Sequence, residues 1–196
     1  MKRVLRLLAL VVVGILLSAC VPTMYVDKTL PPASKSDVAT TAAPQPVQLL
    51  YEFQTRGSAN ARATESTRER VFNVAKESGL FSVVSGEPQA NQHRLTVVIN
   101  NVPITQDAVS KGVGVGLTFG LVGAVVTDGY ECKAVLTIPG AAPVTLEYRH
   151  AIHSALGNTA PPPGLTPEPS PRDAVTKLLN QLMWSIMRDL SKSNLL

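Results

Sequence analysis

The chain has 196 residues with 18 basic and 14 acidic side chains, and three of the basic ones lie within its first six positions. Beyond those six positions the charges nearly balance, which excludes the strongly basic surface typical of a nucleic-acid-binding protein. The length after residue 46 suits one domain and no more.

An N-terminal targeting signal is predicted over residues 1–19. Its basic start is followed by an uncharged apolar run from Leu7 to Leu17, which is shorter than the about 20 apolar residues that a membrane-spanning helix needs. The run ends in Leu17-Ser18-Ala19-Cys20, a motif that resembles the lipobox of bacterial lipoproteins. The resemblance implies cleavage before Cys20, a diacylglycerol thioether on its sulfur and acylation of the new amino group.

Lipid on Cys20 is expected to anchor the protein firmly, since each buried CH₂ contributes about 0.8 kcal/mol and two or more chains hold a protein stably. Val21 rather than Asp follows Cys20. By resemblance to sorting in Gram-negative bacteria, this implies the outer membrane, with the domain facing the periplasm. Cys132 is then left without a partner for an intramolecular disulfide, and we expect it to be a buried small apolar residue.

Residues 20–46 are predicted to form a lipidated flexible tether. They are rich in Pro, Ala, Ser and Thr and show no periodic apolar face. Such a segment cannot bury enough surface to offset its ordering entropy. The periplasmic domain is therefore predicted to be residues 47–196.

The first half of the domain predicts three strands and a helix. Apolar and polar residues alternate from Val47 to Gln54, which indicates a half-buried strand. A helix is predicted from Ala61 to Ser78, with Gly79 as its C-terminal stop. A short apolar strand, Leu80–Val84, and a longer one, His93–Val102, follow.

The second half predicts a hairpin and a helix. The alternating segments Tyr130–Ile138 and Val144–Ile152 are joined by a turn at residues 139–143, giving a hairpin with one buried face. A Pro-rich linker, residues 157–171, leads to the last helix, for which Ser170 is the predicted N-cap. The apolar stripe of this helix comprises Val175, Leu178, Leu179, Leu182, Ile186 and Leu190.

This order predicts an α+β fold with a mostly antiparallel four- to five-stranded sheet and both helices on one face, plus an apolar Gly-rich insertion. The passage from Ser78 to Val84, in which a helix, Gly-Leu-Phe and a strand follow one another, is similar to one found in periplasmic α+β modules of outer-membrane lipoproteins and envelope assembly proteins. That passage carries no catalytic residue.

The insertion is predicted over residues 108–128, and its stretch from Gly112 to Thr127 has no charge. Two periodicities compete in it. A helix would carry a ridge of small residues suited to close helix contacts, at Gly112, Gly116, Gly120 and Ala124. A strand would instead present a lipid-facing row that includes Leu117, Phe119 and Leu121.

Either form of the insertion could contact the membrane or another copy of the chain, so a homo-oligomer is one possible outcome. The remaining alternative is a Gly-rich loop that covers the core of its own domain. The passage from Leu117 to Tyr130 is also similar to an uncharacterised group of small outer-membrane lipoproteins with an apolar Gly-rich loop, and this resemblance implies no established activity.

No catalytic residue, metal site or cofactor is predicted. His150 and His153 stand three apart, and positions three apart on a strand face opposite sides, so they do not converge with Glu147 as metal ligands while the strand continues. Motifs for a serine nucleophile, a phosphate-binding loop or a zinc protease are missing from the sequence.

The sequence thus predicts a non-catalytic, lipid-anchored envelope protein, a structural or assembly component that binds other envelope proteins. The alternative is an auxiliary lipoprotein of an envelope transport system that binds lipid or a small apolar ligand. A third hypothesis is a hydrolase that uses His150 or His153. Full function of a protein in which both histidines are changed to Ala would remove this hypothesis.

Overall fold

The computed structural model describes residues 22–88, 92–104, 123–193 and 196. These residues form one mixed sheet of seven strands and two long helices. In chain order the strands are β1 (Thr23–Val26), β2 (Gln45–Thr55), β3 (Ser58–Ala59), β4 (Phe81–Ser85), β5 (His93–Pro103), β6 (Ala124–Thr137) and β7 (Val144–Leu156). The helices are α1 (Ala61–Glu77) and α2 (Pro171–Ser191).

The strands lie in the order β1-β7-β6-β5-β2-β3. The edge of β2 that faces away from β5 pairs with β3 along one part and with β4 along another. The pairs β1–β7, β7–β6, β6–β5 and β2–β3 are antiparallel, whereas β2 runs parallel to β4 and β5. The α+β class is confirmed. The predicted strand number is wrong, because β1 and β3 were missed. The sheet is also mixed, since α1 is a crossover connection that places β4 parallel to β2.

The core lies between the sheet and the two helices. Alternate residues of the central strands point into it, as shown by the fully buried Leu95, Val97 and Ile99 of β5. Helix α1 contributes Val71, Val74 and Ala75, and the two helices touch through a hydrogen bond from Arg70 to Asn180. The predicted stripe of α2 is confirmed, because every member except Val175 is buried. In the described residues no helix is both long and apolar enough to cross a membrane.

Local signals set the ends of the helices, and those at Ser170 and Gly79 were predicted, whereas the N-cap at Asn60 was not. Asn60 accepts a hydrogen bond from the amide of Ala63 at the start of α1, and Ser170 accepts one from Asp173 at the start of α2. Gly79 follows α1 with a φ of 75°, a conformation that glycine adopts without strain.

Cys132 is buried on β6 and is free, as expected. Burial raises the pKa of its thiol to about 12, because the thiolate would lose its hydration in the core. Cys132 is therefore an unreactive core residue.

The predicted flexible tether is wrong for the segment from Thr23 to Leu30 and for residues 45 and 46, which open β2. Strand β1 pairs with β7 along all four of its residues, and Tyr25, Val26 and Leu30 are buried. These apolar side chains bury enough surface to offset the ordering of a short edge strand, which the overall Pro, Ala, Ser and Thr content of the segment concealed.

Candidate functional site

Most of the residues predicted to act at a membrane or a partner lie outside the described residues: Cys20, Gly112, Gly116, Leu117, Phe119, Gly120 and Leu121. Ala124 is the exception. It is the first residue of β6 and pairs with Leu156, so the helical interpretation of the insertion does not extend to it. The β-branched run after Ala124 favours the strand instead, and the predicted insertion ends earlier than residue 128.

The segments that adjoin Cys20 and the insertion meet at one end of the sheet. Thr23 and Val125 pair with opposite sides of Ala155, which places them two strand spacings apart, or about 10 Å. Ile104, the last described residue before the insertion, donates its backbone N–H to the carbonyl of Thr127. We call this end, formed by Thr23, Ala124 and Leu156, the Thr23 end of the sheet.

The opposite end is the hairpin end, where β6 and β7 are joined through residues 139–143. Leu136 pairs there with Val144, and Gly140 adopts a φ of 79° in the turn. The predicted hairpin with one buried face is confirmed.

One face of the sheet carries no helix, and we call it the outer face. Its side chains include two exposed ion pairs between β6 and β7, Lys133 with Glu147 and Arg149 with Glu131, each 3.7 Å apart. Together with Gln54, Val98 and Asn100, these residues line a depression of about 520 Å³. Its charged and amide lining suits a polar surface of another molecule.

The two neighbouring histidines lie on opposite sides of β7, because the strand continues to Leu156. His150 is buried against α2, and its Nε2 lies 2.6 Å from Oε1 of Gln181. Burial lowers the pKa of His150, partly offset by the hydrogen bond with Gln181. In the part of the chain that the structure describes, no three His, Cys, Asp or Glu side chains are grouped to hold a metal ion.

His153 lies on the other side and joins three strands. Its Nε2 lies 3.0 Å from Oδ2 of Asp27, just after β1, and its Nδ1 lies 2.9 Å from Oγ1 of Thr127 on β6. Burial raises the pKa of Asp27, but hydrogen bonds from Thr29 and His153 outweigh it and lower that pKa to about 2. We call these three residues, Asp27, His153 and Thr127, the β1 clasp.

The β1 clasp has a hydroxyl, an imidazole and a carboxylate in the order that hydrolases use. Thr127 and His153 are register partners inside a continuous antiparallel ladder, however, and among the described residues they do not lie beside a turn whose free amides could stabilise an oxyanion. The arrangement therefore holds β1 to the sheet. Sequence reasoning missed it because Thr23–Val26, a short run with aromatic and β-branched residues that could have signalled a strand, lies in a Pro-rich context.

The Pro-rich linker covers the free edge of β1. Glu168 donates its backbone N–H to the carbonyl of Met24, and Tyr25 forms a bridge with Pro167. Lys28 donates to the carbonyl of Gly164. The linker thereby blocks an edge that could otherwise pair with another chain.

No family model and no curated protein matches the chain. Among solved structures, a variant PelC dodecamer from Paraburkholderia phytofirmans is similar at 14% identity and a TM-score of 0.38, covering 77% of this chain and 92% of that one. The rare lipoprotein B from Shewanella oneidensis is similar at 12% identity and a TM-score of 0.31, covering 74% of this chain and 96% of that one. An uncharacterised protein is similar at 13% identity and a TM-score of 0.32, covering 80% and 95%. These scores are too low to transfer an activity or a partner.

Proposed function

We propose that the protein is a non-catalytic lipoprotein of the outer membrane, anchored through Cys20 with its domain in the periplasm, and that it binds other envelope proteins as a structural or assembly component. The anchor is inferred from the lipobox-like Leu17-Ser18-Ala19-Cys20, and the observation that ties it to the folded domain is the position of β1, which begins three residues after Cys20. Three residues of extended chain span at most about 11 Å. A lipid on Cys20 therefore holds the folded domain close to the bilayer.

The proposal of a non-catalytic role rests on how the titratable groups are used. His150 is buried against Gln181, His153 is held between Asp27 and Thr127, and Cys132 is a core residue with a raised pKa. Each of these groups is packed or hydrogen-bonded within the fold. Neither histidine lines the depression on the outer face, and Cys132, which borders it, is buried with a raised thiol pKa and so is a poor nucleophile.

We propose the outer face as the surface that binds the partner protein. It carries both signs of charge and lies beside exposed apolar side chains such as Leu50 of β2, which is 37% exposed. Mixed charges with scattered apolar contacts favour a protein surface, because they fix the orientation of the partner while the apolar contacts supply affinity. Four of the side chains that line the depression are charged, which favours a protein surface over a small apolar ligand.

A pair of matched triple variants tests this surface in the full lipidated chain. Lys133→Ala, Glu147→Ala and Arg149→Ala together remove exposed charges from the outer face, and Arg62→Ala, Glu69→Ala and Lys76→Ala remove the same charges from the exposed side of α1. We expect the amount of partner protein that cross-links to the outer-face variant in intact membranes to fall roughly tenfold or more, while the amount that cross-links to the α1 variant stays at the wild-type level. Equal retention by both variants would remove the outer face as the binding surface.

A second measurement tests the anchor itself. Mass spectrometry of the protein extracted from outer membranes should show diacylglycerol and an acyl chain on Cys20, and Cys20→Ser should release the protein from membranes. A membrane-bound Cys20→Ser protein would contradict the proposal. Recovery of the lipidated protein in the inner membrane would contradict the proposed location only.

A further inference from the structure

The Thr23 end of the sheet is tied to the anchor by a very short chain. Thr23 is exposed and begins β1, and only Val21 and Pro22 separate it from Cys20. Because β1 is fixed to β7 through every one of its residues, the chain cannot peel away from the sheet without breaking that pairing. The end of the sheet at Thr23 must therefore stay within about 11 Å of the lipidated residue.

Three further segments lie at the same end. Strand β6 begins there at Ala124, which lies opposite Leu156, the last residue of β7. Gly123 packs against Asn158 and Thr159 in the turn that follows β7. Ile104, which is 61% exposed, lies beside them through its hydrogen bond to Thr127. The chain between Ile104 and Gly123 thus leaves and re-enters the described fold at this end.

The surface at the Thr23 end suits close approach to lipid. Residues 22–26, 123–127 and 154–161, which with Ile104 form the described part of this end, contain no charged side chain, so contact through these segments would desolvate no ion. The hairpin end has an uncharged stretch as well, from Ala134 to Leu146. The absence of charge therefore does not decide which end of the sheet approaches the lipid. The short connection to Cys20 decides it.

We propose that the Thr23 end rests on the lipid surface and that the strands rise from it, so that the hairpin end points into the periplasm. This inference rests on the proposed lipid anchor and adds the orientation of the domain. The 14 residues of β6 span roughly 40 Å at about 3.3 Å per residue. The outer face then stands upright and is open to partners from the side.

A matched pair of cysteine variants tests the orientation in the full lipidated chain. Ala160 is exposed and follows Thr159 at the Thr23 end, and Ala141 is exposed in the hairpin turn. Ala160→Cys and Ala141→Cys are labelled with a fluorophore, while Cys132 stays unlabelled because it is buried with a raised thiol pKa. Each protein is then placed in vesicles of phosphatidylethanolamine and phosphatidylglycerol that contain a lipid with a nitroxide headgroup.

We expect the label on residue 160 to be quenched at least threefold more strongly than the label on residue 141. Equal strong quenching of the two labels would mean that the sheet lies flat, and equal weak quenching would mean that the domain turns freely above the bilayer, so either result overturns the orientation. If the protein sediments with the vesicles in those cases, the anchor still stands. If it fails to sediment with them, the anchor and the orientation both fail.

A spacer gives a second check on the same protein. Ten Gly and Ser residues inserted between Val21 and Pro22 lengthen the connection without touching β1. We expect the protein to remain with the vesicles while the quenching at residue 160 falls to the level at residue 141. Unchanged quenching at residue 160 would show that the short connection does not set the orientation.

Discussion

The Thr23 end and the hairpin end of the sheet are closed in different ways. At the hairpin end β6 and β7 follow one another through residues 139–143, and each strand brings its neighbour into register. At the Thr23 end, segments around Thr23, Ile104, Gly123 and Thr159 come together from distant parts of the sequence. The first arrangement depends on a local turn and the second on packing between remote segments, so single substitutions should affect the two ends unequally.

The largest loss of stability is expected for Gly123→Ala at the Thr23 end. A Cβ at residue 123 would lie 2.5 Å from both the Cβ and the backbone nitrogen of Thr159, and 2.6 Å from the carbonyl carbon of Asn158. Backbone must move to relieve such contacts, and we expect a loss of about 1–3 kcal/mol in the free energy of unfolding. Urea denaturation followed by the fluorescence of the single tryptophan, Trp184, measures it.

Gly140→Ala at the hairpin end is the matched control. Nothing lies within 4 Å of a Cβ built there, and the only cost arises from its φ of 79°. We expect a loss of about 1 kcal/mol, the lower end of the cost of placing an L side chain in the left-handed region. A Gly123→Ala protein as stable as the wild type would show that the turn at Asn158 and Thr159 yields easily, and the contrast between the ends would fail.

The sequence predicted the hairpin end well because every signal there is local. Alternation set the inward rows of β6 and β7, and Pro139 and Gly140 marked the turn between them. The two helices were predicted for the same reason, since the caps at Ser170 and Gly79 and the apolar stripe of α2 can all be read from neighbouring residues.

The Thr23 end could not be predicted in that way. Strand β1 has only four residues and depends on pairing with β7, more than 120 positions away. The parallel placement of β2 between β4 and β5 also depends on a crossover through α1 that periodicity does not reveal. Of the predicted site residues only Ala124 lies in the described chain, and the β1 clasp was missed because Asp27 is remote from Thr127 and His153.

A smaller effect is expected for Asp27→Asn in the β1 clasp. The pKa of Asp27 falls from its usual 3.8 to about 2 in the folded protein, so its carboxylate adds stability that is fully present above pH 3.8 and is lost as the pH falls through about 2. We expect the variant to lose about 1 kcal/mol at pH 7, less than the full shift implies because water reaches the carboxylate.

The pH dependence separates this electrostatic effect from a change in packing. Below about pH 2 the wild type and Asp27→Asn should unfold at the same urea concentration, because the wild-type carboxyl is then protonated as well. Glu131→Gln on the outer face serves as the control, because it neutralises an exposed carboxylate and should change the free energy of unfolding at pH 7 by less than about 0.5 kcal/mol. A constant difference between Asp27→Asn and the wild type from pH 2 to pH 7 would contradict the role of the charge.

The smallest effect is expected for Lys133→Ala, which breaks one ion pair of the outer face. The side chains of Lys133 and Glu147 are 59% and 70% exposed and lie 3.7 Å apart, so water screens their attraction and the free energy of unfolding should change by less than about 0.5 kcal/mol. Urea denaturation of the protein measures it. A loss above about 1 kcal/mol would mean that the outer face supports the fold. If the outer-face triple variant also stays below that limit, its weaker cross-linking reports a lost contact with the proposed partner, because the sheet that carries those side chains is still intact.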